Sequence, residues 1–123
     1  MNVLIVEDDK VLSLLLTKMI ERLEYNVVGS ASKGSEAIQK TIELAPDFVL
    51  MDIMLEDDID GIEATKEFQK TNIASKVIYI TGNSDTYTRD RANETDFVDY
   101  LVKPISLDDL RRSISKLDDK TNG

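Results

Sequence analysis

Apolar residues gather in five short runs roughly 25 residues apart, at 3–6, around 27–28, and at 48–51, 77–80 and 97–102. Runs this short, β-branched and apolar at consecutive positions suit strands buried on both faces, as in a parallel sheet. The stretches between them carry a helical period. Leu12, Leu15, Leu16, Met19, Ile20 and Leu23 give the clearest amphipathic stripe. Ala37, Ile38, Thr41, Ile42 and Ala45 repeat the spacing, with Ser32 expected as the N-cap and Pro46 as the stop. Ile62, Thr65 and Phe68 mark a third helix. Leu107, Leu110, Ile114 and Leu117 mark the last, opened by Ser106 with Asp109 three residues on, a capping-box pattern. The fourth interval, 84–95, is almost wholly polar. Tyr87 and Ala92 are its apolar candidates, so a helix there is expected to be marginal, with Tyr87 a partly exposed anchor.

Strict βα alternation with five strands predicts an α/β fold, a doubly wound sandwich with one parallel sheet between helices. Ligands of such folds sit beyond the carboxyl ends of the strands. At 123 residues the chain makes one domain. The reading divides it into a domain over 1–119 and a flexible polar tail over 120–123.

Charge and missing residue types narrow the chemistry. Fifteen Lys and Arg against twenty-four Asp and Glu leave a net charge of −9, which repels phosphate backbones and anionic lipid. Neither nucleic acid nor membrane is therefore expected as a direct partner. Without Cys there is no thiol nucleophile, disulfide or thiolate-held metal, and without His no Ser-His-Asp or Cys-His triad. Val3-Leu4-Ile5-Val6 runs straight into Glu7-Asp8-Asp9 with no basic leader, and a soluble, cytoplasmic protein is expected.

The residues just after the apolar runs are Glu7, Asp8 and Asp9, then Asp52, Thr81 and Lys103. Singly, each has a structural explanation: an acid after a strand caps the next helix, and a lysine is a solvated charge. Together they converge, because parallel strands with right-handed crossovers bring their C-terminal ends to one edge. Clustered carboxylates repel unless cations neutralise them. Lys103 supplies one positive charge, and the deficit suits a hard divalent ion, Mg²⁺ first and Mn²⁺ as a substitute. Cations around a carboxylate with a hydroxyl nearby form a site that can receive a phosphoryl group.

Five segments, LIVEDD at 4–9, LMDIML at 50–55, DGIEA at 60–64, YITG at 79–82 and DYLVKP at 99–104, resemble the response-regulator receiver domain of two-component signalling. The resemblance covers nearly the whole chain, from Asn2 to Leu117. It implies a flavodoxin-like fold of strand order 2-1-3-4-5. It further implies that Asp52 takes phosphate from a phosphohistidine of a sensor kinase or phosphotransfer protein. Asp8 would bind Mg²⁺ directly and Glu7 through water, with Asp52 and the Met54 carbonyl completing the set, while Asp9 caps the first helix. Thr81 matches the hydroxyl that moves toward the phosphoryl oxygen, and Lys103 the lysine that pairs with Asp52 and then with phosphate. Lys103-Pro104 matches a cis peptide. Tyr100 matches the switch aromatic, expected to turn inward when Thr81 moves; the alternative is an edge-strand tyrosine packed on a helix. Asp60 opens the third helix, and Gly61 serves a turn or close approach. A downstream protein would read the surface around helix 4, strand 5 and helix 5.

The sequence departs from the family pattern after Asp52, where Leu55-Glu56-Asp57-Asp58-Ile59 replaces a proline-containing loop and is one residue longer. Those acids would either slow an acidic partner or strengthen metal attraction. Thr95-Asp96 stands where Gly-Ala is usual. Met54 and Asn83 occupy the positions that influence the hydrolytic water, and apolar Met54, which would not position one, implies slow self-dephosphorylation. The domain would thus act as a phosphoacceptor rather than an enzyme. Rivals remain: a phosphate-independent binding module, or an Mg²⁺-dependent aspartyl phosphohydrolase, which would want a second Asp where Met54 stands. A flavin carrier is disfavoured because Glu7-Asp8-Asp9 would repel its phosphate.

Overall fold

The computed structural model describes residues 1–83 and 85–122, with side chains as far as Leu117. In chain order the elements are β1 (Asn2–Val6), α1 (Lys10–Arg22), β2 (Asn26–Ala31), α2 (Gly34–Leu44) and β3 (Phe48–Asp52). There follow α3 (Gly61–Gln69), β4 (Lys76–Thr81), α4 (Thr86–Ala92), β5 (Asp99–Val102) and α5 (Leu107–Asn122). All strand pairs are parallel, and the sheet runs β2-β1-β3-β4-β5. This is the doubly wound, flavodoxin-like order expected. Gly123, and the side chains of the expected tail over 120–123, lie outside the described residues.

The continuous apolar runs are explained by the two faces of the sheet. Leu4, Val6, Val49, Met51, Val77 and Tyr79 point to one side, where Ala37, Ile62, Phe68 and Ala92 meet them from α2, α3 and α4. Val3, Ile5, Phe48, Leu50, Ile78 and Ile80 point to the other, against Leu16 and Ile20 of α1 and Leu110, Ile114 and Leu117 of α5. Strand side chains alternate with period two, so a strand covered on both sides must be apolar throughout. Each such buried aliphatic side chain contributes roughly 1.5–3 kcal/mol.

The helix starts are set by local chemistry with one exception. Asp9 caps α1 by accepting from the Val11 and Leu12 amides at 2.9 and 3.1 Å. Asp60 and Glu63 form a capping box at α3, and Ser106 and Asp109 exchange amide bonds at the start of α5. The exception is α2, where Ser32 does not cap. Its hydroxyl and amide both bond Glu36, and Lys33 occupies the N-cap without a side-chain bond. Two stripes also sit further round than their spacing predicts. Leu15 is 47% exposed beside Val11 and Leu14, and Ile42 on α2 and Ala45 just beyond its end face outward.

Helix α4 is seven residues long and buries Ala92 alone of its side chains. Tyr87, expected as a partial anchor, is 73% exposed. Arg91 does the fastening instead, through a 2.8 Å ion pair with Asp60 at the start of α3. Asp85 caps α4, and Ser84 lies outside the described residues. Among the described residues no helix is long and apolar enough to cross a membrane.

Candidate functional site

Register delivers the polar residues to one edge. Asp52 closes β3 opposite Ile80, and Thr81 closes β4 opposite Val102. Glu7 and Asp8 follow β1, with the Glu7 amide still bonded to the Ala31 carbonyl at 2.9 Å. The Lys103 amide donates to the Thr81 carbonyl at 2.8 Å, which ties the residue after β5 to the end of β4. The Lys103-Pro104 bond is cis, as expected.

The acids and the lysine meet. Carboxylate oxygens of Glu7, Asp8 and Asp52 lie within 4.8 Å of one another. Glu7 and Asp52 are each 3% exposed. Lys103 Nζ stands 2.9 Å from Glu7 Oε1 and 3.3 Å from Asp52 Oδ2, to which it donates a hydrogen bond. Glu7 Oε2 accepts from the Asp9 amide at 3.1 Å. Glu7 Oε1 faces the lysine charge but has no aligned hydrogen-bond donor.

This crowding shifts the proton equilibria. Burial, then the adjoining Asp52, raises the Glu7 carboxyl above its ordinary 4.5. Burial and contact with Glu7 raise Asp8 above 3.8. For Lys103, burial alone would lower the ammonium, but the ion pair with Glu7 and the charge of Asp52 outweigh it and raise it above 10.5. Three carboxylates share one lysine, so the site carries an uncompensated negative charge. An all-oxygen donor set with a buried, unaligned carboxylate oxygen fits a hard divalent cation. Glu7, Asp8 and Asp52 could hold it. Met54 is 68% exposed at the turn leaving Asp52, so its identity is free of packing demands.

Backbone proximity explains a glycine here. A Cβ on Gly61 would come within 2.2 Å of the Asp52 carbonyl oxygen. The close approach expected of Gly61 is therefore to the main chain of Asp52 itself. The Gly61 amide also donates to the Ile53 carbonyl at 2.8 Å, closing the loop onto the strand end.

Thr81 and Tyr100 stand at the β4 side. Thr81, buried, donates through its hydroxyl to the Asn83 carbonyl at 2.9 Å and accepts from the Asn83 amide at 3.1 Å. Tyr100 lies inward at 7% exposure, its hydroxyl donating to the same carbonyl at 3.4 Å and its ring under the Arg89 guanidinium at 4.6 Å. The edge therefore unites Glu7, Asp8, Asp52 and Lys103, while Thr81 is turned toward its own loop.

The chain matches the model of the response regulator receiver domain over residues 3–115. It belongs to that family. The receiver is 32% identical over 116 residues to the chemotaxis protein CheY of Thermotoga maritima, covering 94% of this chain and 96% of that one. It is 30% identical over 119 residues to the probable C4-dicarboxylate response regulator DctR of Halalkalibacterium halodurans, covering 96% of this chain and 51% of the relative. The chain thus spans about half the length of the first curated relatives it matches. Among solved structures it superposes on the signal receiver domain of a modulated diguanylate cyclase from Desulfovibrio desulfuricans with a TM-score of 0.88 at 36% identity, covering 98% of this chain and 95% of that chain. The receiver domain of a sensor histidine kinase from Pseudomonas aeruginosa gives a TM-score of 0.84 at 27% identity, covering 95% and 97%, and was solved with magnesium in its active-site cleft. The chain is thus a receiver domain of two-component response regulators.

Sequence reasoning missed two contributors. Asp57 reaches the start of α2 from the loop after β3. It left no readable signal, because Ser32 looks in the sequence like the cap of α2 and Asp57 lies 23 positions away. The Asn83 carbonyl, shared by Thr81 and Tyr100, is main chain and leaves no mark in the sequence.

Proposed function

We propose that this receiver is a cytoplasmic phosphorylation switch in which Asp52 accepts a phosphoryl group from the phosphohistidine of a sensor kinase or phosphotransfer protein. The observation that carries this reading is the meeting of Asp52 with Glu7, Asp8 and Lys103 at one strand edge. An Asp52 carboxylate oxygen attacks phosphorus, the P–N bond to the donor imidazole breaks, and the departing nitrogen takes up a proton. Glu7, Asp8, Asp52 and the Met54 carbonyl would hold Mg²⁺, or Mn²⁺ in its place. The ion supplies charge neutralisation for the transferring oxygens and for the acids around them.

The protein's own residues do the rest. Burial strips water from the Asp52 carboxylate, and Lys103 Nζ orients one of its oxygens. After transfer Lys103 pairs with the phosphoryl group. The Thr81 hydroxyl leaves the Asn83 carbonyl for a phosphoryl oxygen, which removes one of the two donors on that carbonyl. Tyr100 is then left as the side-chain donor to that carbonyl, and the balance of conformations across the loop after β4, α4 and β5 shifts. A downstream protein reads that face. Incubation with a small-molecule phosphodonor, followed by intact-mass analysis, tests the chemistry: one phosphoryl adduct on the wild type, none on Asp52→Asn.

A further inference from the structure

The loop after Asp52 is clasped to a helix that carries none of the reactive residues. Helix α2 begins with an N-cap, Lys33, that makes no side-chain cap bond, although the first amides of a helix need acceptors. Asp57 fills that need from across the molecule. One carboxylate oxygen accepts from the Gly34 amide at 2.8 Å, and the other from the Ser35 amide at 3.1 Å and the Ser35 hydroxyl at 2.9 Å. Beside it the Glu56 amide donates to the Ser32 carbonyl at 3.3 Å. Contact is so close that a Cβ on Gly34 would lie 2.2 Å from the Ile59 carbonyl oxygen.

The clasp spans the segment that leaves the phosphoacceptor. Ile53 is bonded at both main-chain groups, to Ile80 and Gly61, and Leu55 and Ile59 pack against the core. Met54, whose carbonyl is the proposed metal ligand, sits between the pinned Ile53 and Leu55 with its side chain exposed. A carboxylate engaged with three donors on α2 holds the loop, a role beyond the two expected of these acids.

Resting on the reading of Asp52 as an Mg²⁺-dependent phosphoacceptor, we infer that Asp57 is a positioning residue: by fastening the loop to the start of α2 it sets the Met54 main chain for the cation. The bidentate bond supplies what a more rigid loop would build in covalently, and the start of α2 becomes a support of the metal site.

The test separates positioning from mere helix capping. Metal-free melting temperature and Mg²⁺ affinity by calorimetry with MgCl₂ are measured for wild type, Asp57→Ala, Asp57→Ala with Lys33→Ser, and Asp58→Asn. Asp57→Ala should lower the melting temperature and weaken Mg²⁺ binding about tenfold. Lys33→Ser gives α2 a cap of its own, so the double variant should regain the melting temperature while Mg²⁺ binding stays weak. Asp58→Asn removes a neighbouring exposed charge and should change affinity less than about twofold, since exposed charges are screened. Should Asp57→Ala not fold, Asp57→Asn, which keeps one acceptor oxygen, should weaken binding in the same direction. Unchanged affinity in the Asp57 variants, or recovery of affinity together with the melting temperature in the double variant, would overturn the inference. Failure of the wild type itself to bind Mg²⁺ would overturn the proposed function and this inference with it.

Discussion

Thr81 and Tyr100, nineteen positions apart in the chain, donate to one acceptor, the main-chain carbonyl of Asn83, at 2.9 and 3.4 Å. The hydroxyl proposed to follow phosphate and the aromatic proposed to report it are therefore joined through a single oxygen. The bonds are unequal. Tyr100→Phe deletes the longer one and should lower stability by less than about 1 kcal/mol in chemical denaturation. Thr81→Val removes the shorter bond and also strips the Asn83 amide of its acceptor. Amide exchange at Asn83 should then accelerate by roughly five- to tenfold. Unchanged exchange would show that the loop is held by something other than Thr81.

The acid cluster opposes folding in the metal-free protein. Folded-state values for Glu7 and Asp8 are raised, so the stability they contribute is fully present below 4.5 and 3.8 and is lost as pH rises through the raised values. Asp8→Asn removes one of the mutually repelling charges. It should raise the metal-free melting temperature at neutral pH by roughly 2–5 °C, with the gain fading in acid. Mg²⁺ should stabilise the wild type and not the variant. A variant melting lower than wild type at neutral pH would contradict the account.

Gly61 is fixed by space, not by φ. A methyl group there meets the Asp52 carbonyl oxygen at 2.2 Å. Because the obstacle is backbone at the end of a central strand, Gly61→Ala should destabilise by roughly 3 kcal/mol, at the upper end for overpacking. It should also displace Asp52 enough to slow phosphoryl uptake. Denaturant titration and adduct formation check both, and a variant as stable as wild type would refute the crowding argument.

The acidic edge was legible because strand ends in a parallel sheet converge wherever the runs are correctly found, and Glu7, Asp52 and Lys103 directly follow or close largely apolar runs. Asp9, Asp60 and Ser106 were legible for a different reason: each caps a helix within three residues of itself. Asp57 was not, since it caps a helix that starts 23 positions earlier in the chain. Ser32 has the right residue type for a cap but spends its hydroxyl on Glu36. Leu15 and Ile42 show that helical spacing gives a stripe without its phase, and only the sheet decides which edge of the stripe is covered. Tyr87 was expected as a partly exposed anchor of α4 but is largely exposed, and this polar helix is fastened by the Arg91–Asp60 pair.

The proposed slow loss of phosphate rests on two side chains, one after β3 and one after β4. Met54 is apolar and exposed, and the Asn83 amide group is engaged with Asp85, donating to its carboxylate at 3.0 Å and accepting from its main chain at 3.1 Å. Neither orients a hydrolytic water. Phosphorylated protein in Mg²⁺ without a phosphatase should lose phosphate slowly, and Met54→Asn should speed the loss about tenfold, less than the roughly hundredfold or more of a general acid–base group, because an amide positions water without taking its proton. Release that is rapid in the wild type and unchanged in the variant would contradict this.

The central claim is that Asp52, held by Lys103 among Glu7 and Asp8, takes up one phosphoryl group when a divalent cation is present. Intact-mass analysis after incubation with a small-molecule acyl phosphate tests it most directly, with Mg²⁺, with chelator, and with Asp52→Asn beside the wild type. The account predicts a single adduct that requires both Mg²⁺ and Asp52. Folded wild-type protein that forms no adduct with Mg²⁺ present, or an adduct that persists in Asp52→Asn, would contradict it.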